Sequence, residues 1–261
     1  VKIGLIGGSG FYHIDGFHHI EVKRISTPYG DTSDEFRVAQ LHNCTIYFLP
    51  RHGACHNIVP HKINFKANLW GFKELDVETI ISIGAVGGIV RELKPGTIVV
   101  PNQIIDFTRA RSSSFFEDSE VVHIDFTEPY CEETRQFIFK AGNLSHIDLH
   151  RKGTYVATEG PRLETAAEIR ALKILGGDIV GMTGMPEAAL ARELGICFAA
   201  VTIVTNYAAG ISGRKLTTTE VMEVMKTSTD KIKALLKETF TLLPSQKTCE
   251  CKDSLKNAKI G

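Results

Sequence analysis

A short, near-continuous apolar run at residues 77–83 breaks off into Gly84-Ala85-Val86-Gly87-Gly88. A run of that length without polar alternation suits a strand buried on both faces, which is the condition of a sheet layered between helices. The glycines then give a tight turn that exposes backbone at the strand end. The same pattern recurs. Residues 1–6 run into Gly7-Gly8-Ser9-Gly10, residues 154–157 into Glu159-Gly160-Pro161, and residues 178–181 into Met182-Thr183-Gly184-Met185-Pro186. Residues 196–205 run into Asn206-Tyr207-Ala208-Ala209-Gly210. Residues 36–41 and 44–49 alternate around Asn43 as a hairpin that delivers Pro50-Arg51-His52-Gly53 at a strand end.

Between these strands the apolar spacing turns helical. Pro60 opens a helix over 60–74 with Ile63, Ala67 and Trp70 facing in. Further helices are expected at 129–141, 187–194 and 218–236, and at 165–175, where Ala166, Ile169, Leu172 and Leu175 share one side. Pro95-Gly96 turns into a strand at 97–107, and another is expected at 121–126. The stretch 108–120, with Arg109-Ala110-Arg111-Ser112-Ser113-Ser114, reads as an exposed, mobile loop. Strands alternating with helices throughout predict one α/β domain over residues 1–243, and residues 244–261 read as a polar tail.

Composition enters by exclusion. Thirty Lys and Arg cancel thirty Asp and Glu, so nothing suggests a nucleic-acid surface. No apolar run approaches the ~20 residues of a membrane span. The start lacks the basic-then-apolar order of a signal peptide, and a cytoplasmic location is the expectation. The six cysteines read as scattered: Cys197 as a buried small hydrophobe, and Cys249-Glu250-Cys251 as a close pair on the tail. That pair suits a redox couple, half of a metal site, or no role; without a second pair no metal site is expected. His52, His56 and His61 match no zinc spacing and read as solvated or hydrogen-bonded side chains.

The strand-end turns carry the chemistry. Open α/β sheets bind ligands at the carboxyl ends of their strands. Gly7-Gly8-Ser9-Gly10 resembles the opening of a dinucleotide fold, with Glu21 near the place of an acidic ribose ligand. The spacing is G-x-x-G-G-x-G, however, and residues 11–19 make no amphipathic helix, since Asp15-Gly16 breaks it. A turn of free amides holding a phosphate fits better, and the second glycine junction with Arg51-His52 supports a common anion site. Glu164 stands where a strand gives way to a helix. A carboxylate there also has a plain structural reading, as a partner of the helix dipole.

Gly7-Gly8-Ser9-Gly10, Pro50-Arg51-His52-Gly53, Gly84-Ala85-Val86-Gly87-Gly88, Glu159-Gly160-Pro161-Arg162, the stretch from Gly181 to Glu187, and Thr205-Asn206-Tyr207 together resemble the purine nucleoside phosphorylase and methylthioadenosine phosphorylase family. The motifs occur in family order and span nearly the whole chain. The resemblance implies a mixed central β-sheet flanked by helices, a homotrimer or a pair of trimers, and inorganic phosphate as cosubstrate with no other cofactor. The reaction implied is phosphorolysis of a purine nucleoside to free base and a ribose 1-phosphate. By position, Ser9, Arg51, His52, Gly84, Ala85 and Thr183 match the family's phosphate site; where some relatives have a hydroxyl residue, this chain has Gly84. Met182 matches a residue beneath the ribose, and its other reading is core filler. Leu163, Glu164, Asn206 and Ala208 match positions around the base. Thr218, Val221 and Met222 match the 5′ pocket, with core packing as the other reading of the apolar pair. His123 matches a residue that reaches a neighbouring subunit's 5′ pocket.

The methylthioadenosine branch carries Asp at the positions of Asn206 and Ala208 and a small hydroxyl residue at that of Glu164. This chain departs at all three and resembles the 6-oxopurine branch, including the methylthioinosine members. The chemistry agrees. A 6-oxopurine bears a hydrogen on N-1 that an ionised Glu164 can accept, whereas adenine offers a lone pair there. Asn206 can accept from N-7 through its carbonyl and donate to the 6-oxygen through its amide. Inosine, guanosine and methylthioinosine all satisfy this edge, and Glu164 with Asn206 are the expected catalytic pair. A methylthioadenosine phosphorylase, a nicotinamide-dependent oxidoreductase and a non-enzymatic nucleoside-binding protein are the alternatives.

Overall fold

The computed structural model describes residues 1–11, 18–117, 120–213 and 217–260. Its amino-terminal part holds β1 (Lys2–Gly7), β2 (His18–Lys23), the short ladder of β3 (Ser26–Thr27) with β4 (Gly30–Asp31), the hairpin β5 (Phe36–Leu41) and β6 (Cys44–Pro50), and helix α1 (Phe65–Glu74). Next come β7 (Thr79–Gly88), β8 (Ile98–Val99), β9 (Gln103–Phe107), β10 (Val121–Val122), α2 (Glu132–Leu144), β11 (Leu149–His150) and β12 (Thr154–Thr158). The last part holds α3 (Ala166–Ile174), β13 (Ile179–Gly181), α4 (Gly184–Glu193), β14 (Cys197–Tyr207), α5 (Thr218–Leu242) and β15 (Lys259–Ile260).

Among the described residues, eleven strands share one sheet whose main path is β11-β8-β14-β7-β1-β6-β5-β2. β14, β7, β1 and β6 are parallel neighbours at its centre, and β5, β2 and β8 extend it antiparallel. The sheet is therefore mixed, as expected. β7 serves three ladders, because besides β1 and β14 its Gly87 and Gly88 pair antiparallel with β13, which carries β12 and in turn β9. Glycine is needed at this fork: a Cβ on Gly88 would stand 2.5 Å from the Leu93 carbonyl oxygen.

Both faces of the central strands are apolar, which is why the run at 77–83 lacks alternation. Ile80, Tyr47, Leu49 and Ile6 pack toward Phe65, Leu69 and Phe72 of α1 and the alanines of α4. Ile81, Ile83, Ile3, Leu5, Ile46 and Phe48 pack on the other side toward Ile138 and Phe139 of α2 and Ile232, Leu235, Leu236 and Phe240 of α5. A smaller cluster joins α3 to Val156, Val180 and Ala208.

Several element boundaries differ from expectation for local reasons. Pro60 opens a 3-10 turn, Pro60–Lys62, and α1 starts at Phe65 because Asn64 caps it, accepting from Ala67 N at 3.1 Å. α2 begins at Glu132 behind Cys131. In α3 a full capping box, Thr165 with Glu168, sets the start; Ile169 and Leu172 are buried, but Leu175 is an exposed cap. The strand expected at 97–107 is split around Pro101, and the one at 121–126 shrinks to two residues. β2 was not anticipated, and residues 12–17 within the stretch judged unsuited to a helix lie outside the described residues.

The stretch 108–120, expected to be exposed and mobile, is tied down over the part that is described. The Arg111 side chain is buried and donates to the carbonyls of Met182, Met185, Thr158 and Glu159. Phe115 packs against Tyr29 and Trp70, and its amide donates to Glu193. The polar tail also packs on the body: β15 pairs antiparallel with β10, and Cys251 and Ala258 are buried. Nor are the cysteines scattered. Cys131, Cys197, Cys249 and Cys251 converge with their sulfurs within 4.8 Å of one another, so the tail pair has the second pair that the sequence did not reveal.

Candidate active site

The residues expected to form an anion site follow β1, β6 and β7, which end side by side. The β1–β7 ladder stops at Ile6 opposite Ser82, whereas β7 runs on along β14 to Gly88. Its edge at Gly84 and Ala85 thus loses its β1 neighbour and faces the Gly7-Gly8 turn. Phe11 N donates to Gly8 O at 3.0 Å, closing that turn around half-buried Ser9. A Cβ on Gly8 would lie 2.5 Å from Ile83 O, 2.8 Å from Arg51 Nη1 and 3.3 Å from Gly84 Cα, so only glycine lets the three strand ends meet. Among the described residues, a Cβ on Gly84 would meet nothing within 4 Å.

Arg51 is 1% exposed, and its first partner is protein. Nε and Nη2 bind the Glu187 carboxylate at 2.5 and 3.0 Å, Nη2 also donates to Ser82 Oγ at 2.5 Å, and Nη1 donates to Ile83 O at 3.1 Å. Among the described residues, one of the five guanidinium N–H groups, on Nη1, is left without an acceptor, on the side facing Gly8. Glu187 belongs to the first turns of α4, so the ion pair also fastens that helix to the end of β6. Thr183 caps α4, and the amides of Thr183 and Gly184 both donate to Tyr155 Oη at 3.3 Å. His52 is buried, with Nδ1 2.8 Å from Ile58 O and its ring centroid 4.6 Å from that of His56, the two rings tilted by 50°. Burial, with the Arg51 charge beside it, holds its pKa down to about 4. His52 is therefore neutral at physiological pH.

The residues expected to meet the base lie at neighbouring strand ends. Glu164 lies before α3, outside the helix and away from its first turn, and Oε1 accepts from Thr158 Oγ1 at 2.6 Å at the end of β12. Thr158 Oγ1 also lies 3.4 Å from Gly181 O, the last residue of β13. Asn206 follows a bulge in β14 and pairs with Gly87 of β7, next to the Gly87–Val180 pair of β13. Its Nδ2 donates to Tyr207 O at 2.9 Å and its Oδ1 accepts from Thr205 Oγ1 at 2.9 Å, which fixes which way the amide faces. Arg162 lies outside this group: it is exposed and bonded twice to Glu168.

The other residues expected to contact the nucleoside lie on several different elements. Met182 is half-buried beneath Gly160, where a Cβ would sit 2.4 Å from its sulfur. Leu163 is exposed, and Ala208 is buried in the small cluster with α3. Thr218 and Val221 lie on the first turn of α5, and Met222 lines a cleft of about 390 Å³ together with Gly10 of the β1 turn. His123 is exposed beside β10, its amide donating to Ala258 O at 2.8 Å.

A family model described as Phosphorylase superfamily matches residues 2–241. The chain belongs to that superfamily. It is 48% identical to the probable S-methyl-5′-thioinosine phosphorylase of Thermodesulfovibrio yellowstonii, covering 100% of this chain and 98% of the relative. It is also 48% identical to the 6-oxopurine nucleoside phosphorylase of Pyrococcus furiosus, covering 98% of each. Methylthioadenosine phosphorylase from Schistosoma mansoni in complex with adenine superposes with a TM-score of 0.94 at 30% identity, over 99% of both chains.

In this phosphorylase the sequence motifs mark the strand ends but not the groups that hold them. Glu187 stood inside a quoted motif without a role, and its partner Arg51 is 136 residues away. Ser82 is a hydroxyl within the isoleucines of β7, and that break was the available signal. Arg111 sits in a serine-rich stretch that resembles any solvated loop, yet it ties the turns after β12 and β13 together.

Proposed function

We propose that the protein phosphorolyses 6-oxopurine nucleosides, giving the free base and a ribose 1-phosphate, or its 5-methylthio form when the substrate is methylthioinosine. The observation that carries this reading is the oriented Asn206 amide. With Nδ2 directed at Tyr207 O and one lone pair of Oδ1 taken by Thr205 Oγ1, its second N–H and the other lone pair of Oδ1 remain to match a 6-oxygen and a protonated N-7. An aspartate here would place an oxygen against that carbonyl. Glu164 keeps Oε2 for the N-1 hydrogen, because Thr158 occupies Oε1.

Phosphate, held by Ser9, the amide of Ala85, Thr183 and the remaining Arg51 N–H, attacks the anomeric carbon, with neutral His52 accepting from its P–OH at Nε2 because Nδ1 donates to Ile58 O. The bond to N-9 breaks and its electron pair passes into the purine, which takes a proton from solvent at N-7. Asn206 stabilises that proton through Oδ1. No protein nucleophile is required, since bound phosphate is positioned for the attack. Arg51 and Glu187 cancel in charge, so backbone and hydroxyl donors carry most of the dianion. Thr218, Val221 and Met222 close the 5′ end, with His123 supplied by a neighbouring subunit of a trimer.

Steady-state assays with inosine, guanosine, methylthioinosine and methylthioadenosine, each with and without phosphate, test the reading. Phosphate-dependent release of hypoxanthine or guanine, with preference over the 6-amino substrate on the order of 10⁴-fold, is expected. Release without phosphate, or only from methylthioadenosine, would overturn it.

A further inference from the structure

Four sulfurs from three distant parts of the chain meet at the amino-terminal end of β14. Cys197 is the first residue of that strand, and Cys131 caps α2, its Sγ accepting from Thr134 N at 3.5 Å. Cys249 and Cys251 flank the start of the 3-10 turn Glu250–Asp253, which turns both sulfurs toward the body. Three of the four are at most 5% exposed. Backbone bonds fix the frame, with Cys131 N donating to Phe198 O at 2.8 Å and Cys197 N to Glu78 O at 3.0 Å. Glu133 accepts from Thr248 N, Thr248 Oγ1 and Cys249 N, and Ser254 Oγ donates to Arg192 O at 2.6 Å.

We propose that Cys131, Cys197, Cys249 and Cys251 bind one zinc ion as a four-thiolate site that fastens the C-terminal segment to the body. A tetrahedral zinc with Zn–S near 2.3 Å sets its sulfurs about 3.8 Å apart. All four Sγ atoms here lie within 4.8 Å of one another, and Cys197 and Cys249 are 3.3 Å apart. Four sulfur ligands select zinc over the hard divalent cations. Binding releases four thiol protons and leaves a net charge of −2, which the structure compensates. The Arg192 guanidinium lies 3.9 Å from Cys251 Sγ, and the α2 amino terminus faces Cys131. The single-residue spacing of Cys249 and Cys251 is shorter than that of zinc ribbons, and the 3-10 turn accounts for its fit. The ion would also brace β15 against β10, whose next residue is His123.

Full-length protein purified under reducing, oxygen-free conditions with zinc should carry one ion per chain by elemental analysis and native mass spectrometry. An organomercurial titration should release that ion. Cobalt replacement should give the thiolate charge-transfer and intense visible bands of a tetrahedral sulfur site. Cys249→Ser with Cys251→Ser should reduce the metal to trace and abolish those bands, while turnover with inosine is retained. If the double variant does not fold, the wild-type metal content, mercurial release and cobalt spectrum decide. A wild-type chain without metal after reconstitution, sulfurs joined as disulfides under these conditions, or undiminished zinc in the variant would each overturn the proposal.

Discussion

The two ends of β14 do different work. Its carboxyl end carries Asn206, beside the open edge of β7 and the glycine turn of β1. Its amino end carries Cys197 among three other sulfurs, nine residues away and on the order of 30 Å distant. At the carboxyl end, polar groups are left with unused hydrogen-bonding capacity that a ligand can take up. At the amino end, polar and ionisable groups are turned on one another and hold chain to chain. The difference teaches how to separate function from support within one strand. A change at the first end should lower turnover and spare stability, and a change at the second should do the reverse.

Glu187 is the residue that breaks this division, and its replacement should have the largest effect. It sits at the ligand end but serves as support, because it neutralises an arginine that is 1% exposed. Glu187→Ala strands that charge in the interior and should cost about 3–5 kcal/mol of stability in urea unfolding, with turnover falling as well. The exposed pair of Arg162 with Glu168 is the control, and Arg162→Ala should cost no more than about 1 kcal/mol.

Asn206→Ala comes next. It should lower kcat/KM for inosine by about 3 kcal/mol, a hundredfold or more, with the unfolding midpoint unchanged. Near-normal turnover would remove Asn206 from the chemistry, and a large fall in midpoint would make it support.

His52 sharpens the comparison through pH. Its folded-state pKa is lowered to about 4, while the unfolded chain protonates near the ordinary 6.5, so the unfolded state takes up the proton first on acidification. The His52 contribution is therefore fully present above pH 6.5, is lost as pH falls from 6.5 to about 4, and changes no further below that. The loss amounts to at most about 3 kcal/mol. Urea titrations across that window should show it, and His52→Gln should flatten it.

The smallest effect is expected at the capping box of α3. Thr165→Ala removes an acceptor for Glu168 N and should cost about 1 kcal/mol. Because Glu164 precedes this cap, a rise in KM for inosine without a change in phosphate KM would show that the cap also holds the base-side loop.

What the sequence displayed follows the same line. Turns at strand ends are local, so Gly7-Gly8, Gly84 and the Asn206 junction were readable from glycine and apolar runs alone, and the hairpin at 36–41 and 44–49 matches the structure closely. The capping box of α3 is equally local. Interactions between distant segments were not readable. Arg51 looked like a free anion ligand because nothing near it names Glu187 as its partner. Arg111 looked solvated because its acceptors are backbone carbonyls, which leave no mark in a sequence. The four cysteines looked scattered because only the fold brings the starts of α2 and β14 beneath the C-terminal turn.

The central claim, that Asn206 and Glu164 read the 6-oxo edge, is tested most directly by one ratio. That ratio is kcat/KM for methylthioinosine over methylthioadenosine, measured with saturating phosphate in the wild-type protein and in Asn206→Asp. The account predicts a wild-type ratio on the order of 10⁴ that collapses toward or below unity in the variant. A wild-type ratio near one, or a high ratio that Asn206→Asp leaves in place, would contradict it.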